Sequence, residues 1–223
     1  RATNNADLLI RPGLIATAQT YSAVNTNWAF FYPPTPGAPN VPQNQVRGPV
    51  IESAYRSGRA IPAGSPLVVT AAVRKVTANV QWVRAYYAIM FESETAILMK
   101  DDGVAPDQVA GDGVFSGTIP VGAIASPGQM VRWRYEAKDQ AGGITRMPPN
   151  EDPWETERYY GAIVENVTIT SRLPVVYVFM PNWSAAYNEV GTLGCVWHRD
   201  EFYDNVQFDL HGQSTSSGSF PKK

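Results

Sequence analysis

Between Val131 and Lys138 apolar and charged positions alternate without a break. Val131, Trp133, Tyr135 and Ala137 take one parity; Arg132, Arg134, Glu136 and Lys138 take the other. A period of two predicts a half-buried antiparallel strand with its charges toward water. The following "KDQAGG" reads as its turn. Upstream, "GPVIESAY", "SPLVVTAAVRKV", "NVQWVRAYYAIMFE" and "TAILMK" are β-branched and aromatic runs separated by Gly, Pro, Ser or Asn. Downstream, "GVFSGTIP" and "ERYYGAIVENVTIT" have the same character. About seven strands in roughly 115 residues, with turn chemistry at short intervals, predict an all-β, Ig-like or fibronectin-like antiparallel sandwich. No helical periodicity competes over this range.

The pattern breaks on both sides of that block. From Pro12 to Val46 no residue is charged, yet "NWAFFYPPTPGAPNVPQN" holds Trp28, Phe30, Phe31 and Tyr32 before a proline-rich exit. Such a segment is too apolar for a solvated linker and too broken by proline to build its own core. We expect it to lie against something: the sandwich, an upstream domain or a neighbouring subunit. After the block, "SRLPVVYVFMPNWSAAYNEVGT" starts a new unit with an apolar strand and a short stretch of helical character from Trp183 to Val190. "GCVWHRDEFYDNVQFDLHGQS" then reads as a hairpin turning near "RDE". The expected organisation is an arm or tail of an upstream domain over 1–47, the sandwich over 48–166, and a small, mostly β segment over 167–223.

Charge and composition narrow the function classes. Eighteen basic and 20 acidic residues give a net charge of −2, and no basic patch marks a nucleic-acid binder. No apolar run is long enough to span a bilayer. The single Cys195 excludes an internal disulfide and, beside Val196 and Trp197, reads as a small buried hydrophobe. An opening at Arg1 without Met and a close at "SFPKK" suggest a processed or excised piece of something longer.

One stretch carries candidate chemistry. "DDGVAPDQVAGDGVFSGTIP" sets Asp101, Asp102, Asp107 and Asp112 among glycines. Those carboxylates, with backbone carbonyls, are the oxygen ligands calcium takes, although their spacing is not that of an EF-hand. The simpler reading is that each Asp caps its own turn. Both stay open here. Catalytic carboxylates rank below them, because no base, nucleophile or phosphate cradle accompanies the loop.

Other matches read as coincidence. "HRDEFYDN", His198 to Asn205, fits the spacing of a protein-kinase catalytic loop, but the glycine-rich loop, the V-A-I-K strand and the D-F-G that should accompany it are missing. Asn166-Val-Thr and Asn182-Trp-Ser fit the glycosylation acceptor pattern, which matters only in a glycosylating host. His211 reads as a hydrogen-bonded strand-end histidine.

"PVVYVFM" followed by "YDNVQFDLHGQSTSSGSFPKK" resembles the start of the spore-coat kinase-like CotH family, whose members show a strand, a hairpin ending in Asn-Val, an Arg-Gly-x-Ser stretch and a Phe-Pro-Lys-Lys run. His211 stands where arginine is usual. The acidic loop through "GQMVRWRYEAKDQAGG" resembles the Ig-like domains that precede CotH domains in large bacterial surface proteins. "TPGAPN" resembles the end of a lamin-tail or lectin-like domain. The resemblance implies an extracellular or cell-surface protein whose partners are its own other domains or neighbouring subunits. It also implies an atypical kinase that binds ATP and a divalent metal, with its catalytic residues beyond Lys223. Within this chain, only Lys222 and Lys223 would belong to a phosphate-facing part. The expected role is structural, adhesive or assembly-related, without catalysis of its own. The alternatives are the ATP-binding start of a kinase-like domain and a self-assembling filament subunit.

Overall fold

The computed structural model describes residues 20–22, 25–29, 48–55, 59–76, 78–150 and 156–210, the first two ranges as strand backbone only. These pair as a hairpin of β1 (Thr20–Ser22) and β2 (Asn25–Ala29), which places Trp28 in β2. Phe30, Phe31, Tyr32, His211, Lys222 and Lys223 lie outside the described residues.

The chain folds as the antiparallel β-sandwich that the alternating runs predict. One sheet joins β3 (Val50–Ala54), β4 (Leu67–Arg74) and β7 (Val114–Ile119) in the order β3-β4-β7. The other places β6 (Thr95–Met99) beside β5 (Val80–Ile89), and β5 beside β8 (Met130–Asp139). Two short strands share the far side of β8. β10 (Tyr160–Ile163) pairs with its first half and β9 (Ile144–Met147) with its second. A single turn of helix, Val121–Ile124, links β7 toward β8.

The period of two becomes burial. Val69 and Ala71 of β4, Val83 and Ala85 of β5, and Val131, Trp133, Tyr135 and Ala137 of β8 are all at most 1% exposed and fill one core between the sheets. Trp133 also satisfies its polar handle. Its Nε1 donates to Tyr135 Oη at 3.1 Å, and Tyr135 Oη donates to the Tyr55 carbonyl at 3.1 Å.

Both open edges of the sandwich are closed by chain that changes sheets. After pairing with β5 through Met99, the backbone of Lys100 exchanges two hydrogen bonds with Ser116 of β7, at 2.9 and 2.8 Å. On the opposite edge Ile61 runs parallel to Val164, donating to the Ile163 carbonyl at 2.7 Å and accepting from Glu165 N at 2.8 Å. Each bridge ties the two sheets together at one point of the edge.

The C-terminal segment forms a three-stranded antiparallel sheet of β11 (Val176–Phe179), β12 (Thr192–His198) and β13 (Glu201–Phe208). Arg199 and Asp200 make the expected turn with φ of 50° and 62°, the doubly left-handed geometry of a two-residue hairpin connection. The stretch from Trp183 to Val190 holds only a 3-10 turn, Ala185–Tyr187, started by Asn182, whose Oδ1 accepts from Ala185 N. This sheet packs on the sandwich through a second apolar cluster, in which Met130 and Ile163 meet Phe179 and Cys195. Among the described residues no helix is long and apolar enough to cross a membrane.

Candidate functional site

The acidic loop leaves the sandwich where Lys100 has crossed to β7 and returns as Val114. Tight bends at Gly103, Gly111 and Gly113, with φ of 70°, 75° and 84°, bring its two ends back together. The carboxylates hold those bends. Asp101 accepts from Gly111 N at 2.6 Å, Asp112 N at 3.2 Å and Gly113 N at 3.0 Å. Asp107, a buried residue, accepts from Gly103 N at 2.6 Å. Asp102 and Asp112 each cap the residue two positions on, accepting from Val104 N at 3.0 Å and Val114 N at 2.8 Å.

Asp102 and Asp112 thus cap their own turns, while Asp101 and Asp107 reach across the loop to fasten it, and the same bends produce a second result. One carboxylate oxygen each from Asp101, Asp107 and Asp112 lies within 4.8 Å of the others, close enough to share an ion. Asp102 stands apart from this group and faces Lys100 Nζ at 3.5 Å. No hydrogen bond among the described residues reaches Asp107 Oδ1 or Asp112 Oδ2, so oxygen lone pairs remain for a cation. The triad could hold a metal ion, with carbonyls and water completing its shell.

The kinase-like match resolves into a hairpin tip. His198 ends β12, its Nδ1 3.3 Å from the Val175 carbonyl oxygen; Arg199 and Asp200 form the turn. Asn205, in the position of the metal-binding asparagine, sits with φ 54° where β13 bulges, and donates to the Glu157 carbonyl at 3.0 Å. An open cleft of about 490 Å³ beside this hairpin is lined by Arg158, Tyr159, Glu201 and Tyr203 among others, and its lining holds no histidine, cysteine or serine.

Cys195 is buried as its neighbours in sequence predict. Its Sγ donates to Asp204 Oδ1 at 3.1 Å. Burial pushes the thiol's pKa up, and the Asp204 carboxylate pushes it further the same way. A thiol held protonated is a poor nucleophile.

The alternation on β8 hides a polar arrangement of a different kind. Arg134, expected to point to water, is 7% exposed. It takes both oxygens of Glu94 at 2.7 Å, reaches Glu136 at 2.5 Å and lies 4.1 Å from the centroid of the Tyr86 ring. Arg132 lies between the rings of Phe91 and Tyr159, at 4.8 and 4.5 Å, and donates to the Met90 carbonyl at 2.9 Å. The outward face of the sheet is thus itself packed. Parity on β8 carries no sign of this cover, which Phe91 and Tyr159 bring from distant parts of the chain.

Compared with known proteins, the chain matches no family model, and no curated protein is significantly similar to it.

Proposed function

We propose that this chain is a structural module of an extracellular multidomain protein, serving spacing, adhesion or assembly and performing no catalysis of its own. One observation carries the reading. Among the described residues, nine of the sixteen exposed large apolar side chains lie between Val167 and Tyr203, in the segment after the sandwich. Leu173 is 76% exposed, Val190 88% and Trp183 56%. Three of the nine, Val176, Leu193 and Tyr203, are on the strands of the C-terminal sheet and the other six on its connections. Large exposed apolar surface marks interaction sites, so this segment is read as the side that meets an adjoining domain or subunit. The CotH-like stretch from Val175 onward agrees with a second domain beginning here. In the same reading the triad of Asp101, Asp107 and Asp112 holds calcium, which braces the loop at the sheet crossing.

Limited proteolysis tests the module. If an adjoining domain or subunit covers this side, the connections at 167–175 and 181–191 should be cut readily in the 223-residue chain alone and protected when that neighbour is present. Equal protection in both would remove the basis for the proposal.

A further inference from the structure

The outer face of the second sheet carries five cations: Arg84 on β5, Arg132, Arg134 and Lys138 on β8, and Arg146 on β9. Three are satisfied in place. Arg134 holds Glu94 and Glu136, Arg146 meets Glu157 at 3.0 Å, and Arg132 is enclosed by its two rings and a carbonyl. Arg84 and Lys138 are different. Neither forms an ion pair or side-chain hydrogen bond among the described residues. Both flank Trp82: Arg84 Cζ lies 4.4 Å from its ring centroid, and Lys138 is its direct partner across β5 and β8. Apolar side chains continue the rows outward. Leu98 opposes Arg84 on β6 and is 58% exposed; Ile144 opposes Lys138 on β9 and is 51% exposed. The result is a strip of Leu98, Arg84, Trp82, Lys138 and Ile144 whose two cations form no ion pair among the described residues, although Glu136 stands across from Arg84 on β8.

The matching surface is on the same molecule. The acidic loop begins one residue after Lys100, next to the end of β6, and displays Val104 at 66% and Val109 at 56% exposure among its carboxylates. Strip and loop thus agree twice, apolar against apolar and cation against carboxylate. Their proximity on one molecule lets a two-fold axis satisfy both reciprocally, as isologous dimers do. We infer that the chain pairs with a second copy, Val104 and Val109 of each loop seated on the Leu98–Trp82–Ile144 strip of its partner, with loop carboxylates against Arg84 and Lys138. The pairing does not use the apolar C-terminal face and stands or falls separately from it. It draws on the same loop carboxylates as the ion proposed above, so the experiment is run with chelator present to keep them free.

Sedimentation velocity on the full 223-residue chain tests it. A concentration-dependent dimer is expected at low salt, shifting toward monomer at about 0.5 M salt, where exposed charges are screened within a few ångströms. Arg84→Glu with Lys138→Glu should be monomeric, and so should Val104→Lys with Val109→Lys, because each sets like charges against each other. All four residues lie on the surface strip or the loop, and melting curves of the two variants check that the fold survives. An equimolar mixture of the two variants should form a heterodimer, since both contacts then pair opposite charges. A wild-type chain that stays monomeric at every concentration, or a mixture that does, overturns the inference. So does a dimer indifferent to these four substitutions but lost in Val176→Ser with Val190→Ser.

Discussion

Phe202 of β13 lays its ring on the backbone of Gly161 in β10. A Cβ at Gly161 would stand 2.5 Å from the ring atoms, inside any tolerable contact. A glycine in a strand commonly marks such a close approach. Here it lets the C-terminal sheet sit on the sandwich, with Tyr159 N donating to Asp204 Oδ2 at 2.6 Å beside it.

That contact predicts a non-additive pair of substitutions. Gly161→Ala should destabilise by about 1–3 kcal/mol, as overpacking does. Much of that cost should vanish in a Phe202→Ala background, where the ring that clashes is gone. Chemical denaturation of the four variants of the cycle checks it; equal costs in both backgrounds would mean the two sheets do not meet through this ring.

A second prediction separates the two faces of β8. Trp133→Ala removes a fully buried ring from between the sheets and should cost about 3–5 kcal/mol. From parity alone Arg132→Ala would cost within about 0.5 kcal/mol, as ordinary surface changes do. Its enclosure by Phe91 and Tyr159 raises the expectation to about 1–2 kcal/mol. Thermal melts should rank Trp133→Ala well above Arg132→Ala, and Arg132→Ala above an exposed control such as Lys75→Ala.

The contrast between those two residues shows what a chain pattern carries. Trp133 was legible because the core face follows from a period of two, a local property. Arg132 was not, because its partners lie 41 and 27 positions away, and parity says nothing about what covers a face. β9 was missed for a related reason: Ile144–Met147 is four residues long and mixes Thr and Arg with its apolar positions. In the acidic loop, composition singled out four aspartates equally. Only the folded positions of Gly103, Gly111 and Gly113 separate Asp102, which caps its own turn, from the three that converge.

A third prediction follows from Glu94. Burial by itself would raise its carboxyl pKa; the hydrogen bond and charge of Arg134 outweigh burial and hold it below its ordinary value of 4.5. A carboxyl depressed in the folded state contributes stability above its unfolded pKa and loses it as pH falls through the folded value. Unfolding free energy should therefore decline as the solution is acidified below about pH 4.5. Glu94→Gln should lower stability at neutral pH, by leaving Arg134 with Glu136 alone, and should flatten that acid limb. An acid limb unchanged in slope would show that the pair does not persist in solution.

The last prediction concerns metal. An ion that binds only the folded loop stabilises it by mass action, about 2.7 kcal/mol at a hundred times its dissociation constant. Calcium tolerates the irregular oxygen cage that three loop carboxylates and nearby carbonyls would make, whereas magnesium demands near-octahedral geometry and gives up water reluctantly. The melting temperature should climb with added calcium, fall back with chelator, and respond weakly to magnesium. Asp107→Asn and Asp112→Asn should each reduce the calcium response, while Asp102→Asn should leave it intact, because Asp102 lies outside the converging group. A melt indifferent to calcium would leave these carboxylates as turn caps alone. Their substitutions should then rank by amide bonds lost, Asp101→Ala with three accepted bonds costing more than Asp102→Ala with one.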